Sequence, residues 1–228
     1  MPTDSDDHTP WELATASYRS LRVERTGALA EVVLTGPGKG NAMGPDFWRE
    51  LPEVFAALDR DESVWAVLVR GEGQHFSYGL DLPAMLGQPE FQIASEQLAT
   101  ERTHFHDTVL RMQRACTSVA ECRKPVIAAV AGWCIGAGLD LISACDVRLC
   151  SSDARFSLRE VKVAIVADVG SLQRLPPIIG QGHTRELALT GKDIDAARAL
   201  RIGLVNEVYE TPEALLEAAR AMARQIAE

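Results

Sequence analysis

No run of apolar residues in this chain is long enough to cross a bilayer. The most membrane-like segment, Pro125 to Leu139, is broken by glycines and closed by Asp140, and a helical span needs about 20 apolar residues. A basic stripe is missing too. The formal net charge is −9 and the basic residues are dispersed among acids, which excludes wholesale nucleic-acid binding. The first residues, "MPTDSDDHTP", lack the positive start and apolar stretch of a signal peptide. They are polar and acidic, and read as a mobile tail over 1–17. Five cysteines, Cys116, Cys122, Cys134, Cys145 and Cys150, form no C-x-x-C pair. With no secretion signal, they read as reduced, mostly buried thiols of a cytoplasmic protein. Histidine is scarce, and His104 and His106 stand two apart, so a helix would point them in different directions. No metal site is expected.

Motif absences narrow the class further. "GAGLDL" lacks the last glycine of a dinucleotide loop, and there is no P-loop and no G-x-S-x-G elbow. No cysteine sits in an evident activating setting. What is present is an ordinary globular composition, 46% hydrophobic and 24% charged, enough for one large domain with a substantial core.

The periodicity predicts an α/β fold. "YRSLRVERTGALAEVVLTG" reads as a hairpin turning at Thr26-Gly27. "GPDFWRELPEVFAALDRD" has helical spacing, with Phe47, Leu51, Val54, Phe55 and Leu58 on one side. Pro52 inside it predicts a kink or a late start. "VWAVLVRG" and "KPVIAAVAG" read as buried strands. Between them come a glycine-punctuated loop, "GEGQHFSYG", and a long amphipathic helix within Phe91 to Cys122, carrying Phe105, Val109, Met112, Cys116 and Val119. A helix around Ala137 to Ala144 and a strand at "VRLCS" follow. The end, "TPEALLEAARAMARQIAE", has a Thr cap, Pro at the first helical position and acids in the first turn. Strand, strand, helix units recur without a repeat of fixed period, and no linker composition divides the chain.

Three acids stand in weakly polar settings. Asp140 follows Gly136, Ala137 and Gly138, small residues that let another molecule approach the backbone closely. A helix starting there would aim unpaired N–H groups at that molecule, although an acid is also common in any first helical turn. Glu160 and Asp168 lie in "FSLREVKVAIVADVGSLQRL". Glu160 reads equally as a solvated neighbour of Arg159 and Lys162, and Asp168 as the N-cap of "DVGSLQRL". If the three share a pocket, their pKa values rise; spacing alone leaves that open. What remains after the motif search is proton chemistry by carboxylates beside backbone donors.

At this point the sequence resembles the crotonase, or enoyl-CoA hydratase/isomerase, superfamily. The resemblance runs from Tyr18 to Tyr209 and rests on "KGNAM" at Lys39–Met43, "HFSYGLDL" at His75–Leu82, "KPVIAAVAGWCIGAGLDLISACDVRLCS" at Lys124–Ser151 and "ALRIGLVNEV" at Ala199–Val208. It implies a crotonase-like spiral of ββα turns over 18–210, with 211–228 beginning a helical extension that is cut short. It implies an acyl-CoA thioester substrate and an oxyanion hole made by the backbone N–H groups of Leu80 and Ala137, where relatives more often carry Gly at the latter. Lys39, Asn41, Ala42, Phe76, Gly79 and Gly136 are the expected substrate and CoA contacts. A loop role for Lys39, and core packing for Phe76 and Leu82, explain those three as well.

Hydratases of this family resemble the pattern but place Glu at both positions matching Asp140 and Glu160. "REVKVAIVADVGSLQRLP" is similar instead to the dienoyl-CoA isomerase branch, whose acid triplet matches Asp140, Glu160 and Asp168. That resemblance implies conversion of a 3,5-dienoyl-CoA to a 2,4-dienoyl-CoA, with Glu160 toward C2, Asp168 toward C6 and Asp140 as a helper. The alternatives are a 2-enoyl-CoA hydratase and a non-catalytic acyl-CoA-binding member. No cofactor is implied beyond the CoA of the substrate, and no nucleic-acid or membrane partner. A homotrimer or a pair of trimers is expected if the helical region continues.

Overall fold

The computed structural model describes residues 17–89 and 99–228, so all but the last residue of the tail expected at 1–17 lies outside them. The hairpin is β1 (Leu21–Thr26) and β2 (Leu29–Leu34), antiparallel, with Thr26 opposite Leu29. Helix α1 (Pro45–Arg60) then crosses to β3 (Ala66–Gly71). Two further helices, α2 (Leu82–Leu86) and α3 (Ala99–Ala120), lead to β4 (Val126–Val130). From there the chain runs through β5 (Trp133–Ile135), α4 (Ala137–Ser143), β6 (Val147–Ser151) and β7 (Arg155–Ser157). A 3-10 turn at Glu160–Val163 precedes α5 (Ser171–Thr190), β8 (Ile194–Asp195), α6 (Ala196–Arg201), β9 (Glu207–Tyr209) and α7 (Pro212–Ala227).

Six strands form one sheet in the order β1-β2-β3-β4-β6-β9, parallel throughout except for the hairpin. β5, β7 and β8 form a second, smaller sheet. From β4 onward the chain passes from the large sheet to the small one, β4 to β5 and β6 to β7, before a helix returns it, and each such ββα unit makes one turn of a spiral. The strand residues sort by parity, as the two-residue period requires. Val32, Leu34, Val67, Val69, Val126 and Ala128 face the main core, while Leu29, Leu68, Ile127, Ala129 and Leu149 face Leu215, Ala219 and Ala223 of α7. With both faces covered, these strands read as continuous apolar runs. The C-terminal helix is thus folded back on the sheet. Thr211 caps it, accepting from the Ala214 N–H at 3.2 Å.

Helix α1 departs from expectation. It begins at Pro45 after Gly44 and runs on through Pro52 to Arg60, so Pro52 does not delay its start. Burial of Phe47, Leu51, Val54, Phe55 and Leu58 on both sides of Pro52 outweighs the one backbone bond that proline removes. Met112, Cys116 and Val119 of α3 are buried as the periodicity predicts, whereas Phe105 is 41% exposed. The part of that predicted helix at 91–98 lies outside the described residues.

Candidate active site

Three loops converge at the C-terminal ends of β2, β3 and β4. Asn41 holds two of them together. Its backbone adopts φ 52°, and its side-chain amide donates to the carbonyls of Glu72, His75 and Phe76 at 2.9, 2.8 and 3.3 Å. Ser77 Oγ donates to the Asn41 carbonyl at 2.8 Å and accepts from the Gly79 N–H at 3.0 Å. This relay presses Gly79 against the third loop. A Cβ at Gly79 would stand 2.5 Å from the Ile135 carbonyl and 3.2 Å from the Ala137 nitrogen. Only glycine permits that approach at φ 80°.

The approach brings two backbone donors to one place. Ala137 is the first residue of α4, so its N–H has no acceptor within the helix. The Leu80 N–H, outside any helix or strand, has no acceptor among the described residues. Both residues line an outer chamber of about 530 Å³, with Tyr78, Trp133 and Arg159 among its other walls. Both also line an inner cavity of about 180 Å³ that contains Asp140, Glu160 and Asp168. The three acids singled out in the sequence therefore share a pocket, and Glu160 stands where the two spaces meet.

The acids are held differently. Asp140, on the first turn of α4, is 1% exposed. Its Oδ1 accepts the Ser171 N–H at 2.5 Å, so it serves the first amide of α5 across 31 residues. The N-cap role that the sequence allowed Asp168 as an alternative is thus not taken up: α5 starts after Gly170 with no side-chain cap from its own loop. Burial pushes Asp140 up to about 6, with Ser171 and Arg174 pulling the other way and the Asp168 charge adding to the rise. Glu160 begins the 3-10 turn, and its Oε1 faces Gly136, where a Cβ would come within 3.0 Å. Its Oε2 is buried with no hydrogen-bond partner among the described residues. Burial, then the charges of Asp140 and Asp168, push it up to about 7 against a bond to its own backbone. It is not the solvated residue its neighbours suggest, because Arg159 turns away to Asp193, at 2.9 Å, and over the Trp133 ring. Asp168 is exposed; the burial it does have raises it from the ordinary aspartate value against a bond to its own backbone.

Of the other expected contacts, Gly136 lines the outer chamber and Leu82 both spaces. Asn41 and Gly79 shape the site from behind the lining. Lys39 is exposed, Ala42 is half-buried, and neither is among the lining residues. Phe76 is 1% exposed and part of the main core, which corrects its placement on the groove: its ring points to the packed side of the strand end. Four residues went unnoticed in the sequence. Tyr78, stacked on His75 at 5.1 Å, Trp133 and Arg159 form the outer wall. Arg174 holds the Asp168 loop, donating to Thr117 Oγ1 at 3.1 Å and packing its guanidinium against Gly170. Only Arg174, one turn into a recognisable helix beside the acids, left a signal that could have been read. Among the described residues no cluster of three or more His, Cys, Asp or Glu is arranged to hold a metal.

The model of the family described as enoyl-CoA hydratase/isomerase matches residues 24–228. The chain belongs to that family. Among similar proteins of this hydratase/isomerase family is the mitochondrial Delta(3,5)-Delta(2,4)-dienoyl-CoA isomerase of Dictyostelium discoideum. It is 41% identical over 222 residues, which are 95% of this chain and 74% of that protein. The human protein of the same name is 43% identical over 92% of this chain and 64% of its own length. The chain thus spans about two thirds to three quarters of these relatives. The crystal structure of a putative enoyl-CoA hydratase from Streptomyces coelicolor A3(2) superposes with a TM-score of 0.83 at 33% identity, covering 100% of this chain and 78% of that one.

Proposed function

We propose that this hydratase/isomerase-family chain converts 3,5-dienoyl-CoA thioesters to 2,4-dienoyl-CoA thioesters. One observation carries the reading: three carboxyl groups line an apolar cavity that is also lined by two residues whose backbone donors have no acceptor among the described residues. The thioester carbonyl oxygen binds to the Leu80 and Ala137 N–H groups, which fixes C2 at the junction of the two spaces. Loss of a proton from C2 puts charge on that oxygen, and donors aimed there are worth about 3–4 kcal/mol each when removed singly. Glu160, at the junction, exchanges the C2 proton. Asp168, along the inner cavity, exchanges the proton at C6. One proton leaves C2 and one joins C6 while the two double bonds each move one position toward the thioester, so the atoms balance without a co-reactant. A carboxyl with a pKa of about 7 is available in both forms near neutrality, which suits a group that alternates between base and acid.

Asp140 is the positioning acid. It holds the start of α5, and with it the loop carrying Asp168. The trimer or pair of trimers, and the cytoplasmic location, belong to the same proposal.

The test is a paired ultraviolet assay of the purified protein with a 3,5-dienoyl-CoA and with a 2-enoyl-CoA. Growth of the conjugated 2,4-dienoyl absorbance, reduced at least a hundredfold in Asp168→Asn, is the expected outcome. Hydration of the enoyl-CoA that is indifferent to Asp168 would assign a hydratase and sink the proposal.

A further inference from the structure

A second cleft, of about 310 Å³, lies between α1 and α3 on the far side of the inner cavity. The two spaces share only Met85 and Met112 as a partition. Its walls combine an apolar floor, in which Trp48, Met85 and Met112 take part, with a rim bearing Arg49, Arg111 and Arg114. Among the described residues no carboxylate lines it. This is the reverse of the surrounding protein, whose net charge is −9.

The three arginines are not equivalent. Arg49 is paired with Asp46 at 2.6 Å. Arg111 donates to the Thr108 hydroxyl at 2.7 Å, and neither Arg111 nor Arg114 meets a carboxylate among the described residues. They stand three apart on one helix, where like charges are neighbours and repel. Beneath them Trp48 is 6% exposed, and its buried indole N–H has no acceptor among the described residues, a state that buried donors rarely keep without cause. Unneutralised guanidinium forks over an aromatic and thioether floor match a ligand with an acidic head and an apolar body. The volume sits at the lower end of small-molecule sites.

We infer that this cleft is a second binding site, separate from the acyl-CoA pocket, for an organic anion of the fatty-carboxylate type, its head on Arg111 and Arg114 and its chain over Trp48. The inference does not depend on the isomerase reading.

Isothermal titration of the whole chain with sodium decanoate tests it, in the presence of saturating decanoyl-CoA so that the acyl pocket is filled. One saturable site is expected, weakened at least tenfold in Arg111→Gln/Arg114→Gln and unchanged in the control Arg185→Gln, with matching unfolding temperatures. Quenching of tryptophan emission by decanoate should disappear in Trp48→Phe. Decyl phosphate binding with the same dependence on the two arginines would support the anionic head. Decanol binding as tightly as decanoate, inorganic phosphate binding as tightly, or decanoate binding that ignores the double substitution would each overturn the proposal, as would no binding at millimolar ligand. Dienoyl-CoA turnover is measured alongside; its absence would count against the isomerase alone.

Discussion

Two glutamates of this protein, one buried and one half-buried, meet opposite fates. Glu31, on β2 and 3% exposed, would be raised by burial alone. Hydrogen bonds from Arg220 at 2.6 and 3.0 Å and from Arg70 at 2.9 Å bring it below the usual carboxylate range. Among the described residues Glu160 meets no arginine and keeps one oxygen without a partner, and it rises to about 7. The first carboxylate is saturated, and its work is to fasten α7 to the sheet. The second is left short of donors and can exchange a proton near neutral pH. A buried acid is thus a fastener or a reagent according to how many of its lone pairs the fold satisfies.

The contrast can be broken from either side. The largest expected effect is on the reagent: Glu160→Gln should lower the isomerase kcat by about a thousandfold, within the range for a lost general acid–base group. A variant within tenfold of wild type would remove Glu160 from the chemistry. Next comes the fastener. Glu31→Ala leaves Arg70 and Arg220 without their buried partner and should cost about 3–5 kcal/mol in unfolding free energy, measured in urea, while kcat of the folded fraction stays put. A loss below 1 kcal/mol would mean that α7 is held by its apolar face alone.

The smallest effect sharpens the comparison through pH. Glu160 has a folded pKa above its unfolded one, so the folded state holds that proton more tightly. Its contribution is present while it is protonated and is lost as pH rises from about 4.5 to about 7. Glu160→Gln should therefore match wild type at pH 4.5 and exceed it at pH 8, by on the order of 2–3 kcal/mol or several degrees in Tm. Parallel Tm curves for the two proteins would show that Glu160 is not perturbed.

Much of this was legible in the sequence, and the failures share a cause. Parity and helical spacing located β1 to β4, α1, α4 and α7, because each buries one face or both on its neighbours. The apolar settings of Asp140, Glu160 and Asp168 marked them as costly, but no spacing rule says that residues 140, 160 and 168 meet. Only the spiral, which returns the chain to the same pocket after each ββα turn, does that. The N-cap alternative for Asp168 fails for the same reason: the first amide of α5 is served by Asp140 on another helix, not by Asp168 nearby. Tyr78, Trp133 and Arg159 look like ordinary loop and strand residues until three separate loops place them on one wall. Pro52 was given too much weight because local propensity yields to the packing around it.

The straps of Asn41 reach carbonyls 31, 34 and 35 positions ahead in the chain. They can close only when β2 and β3 lie in the register that sets Leu34 beside Gly71. A chain that paired those strands one residue out of step would turn every side chain to the opposite face. It would still possess Asp140, Glu160 and Asp168, and have nowhere to rest the thioester oxygen.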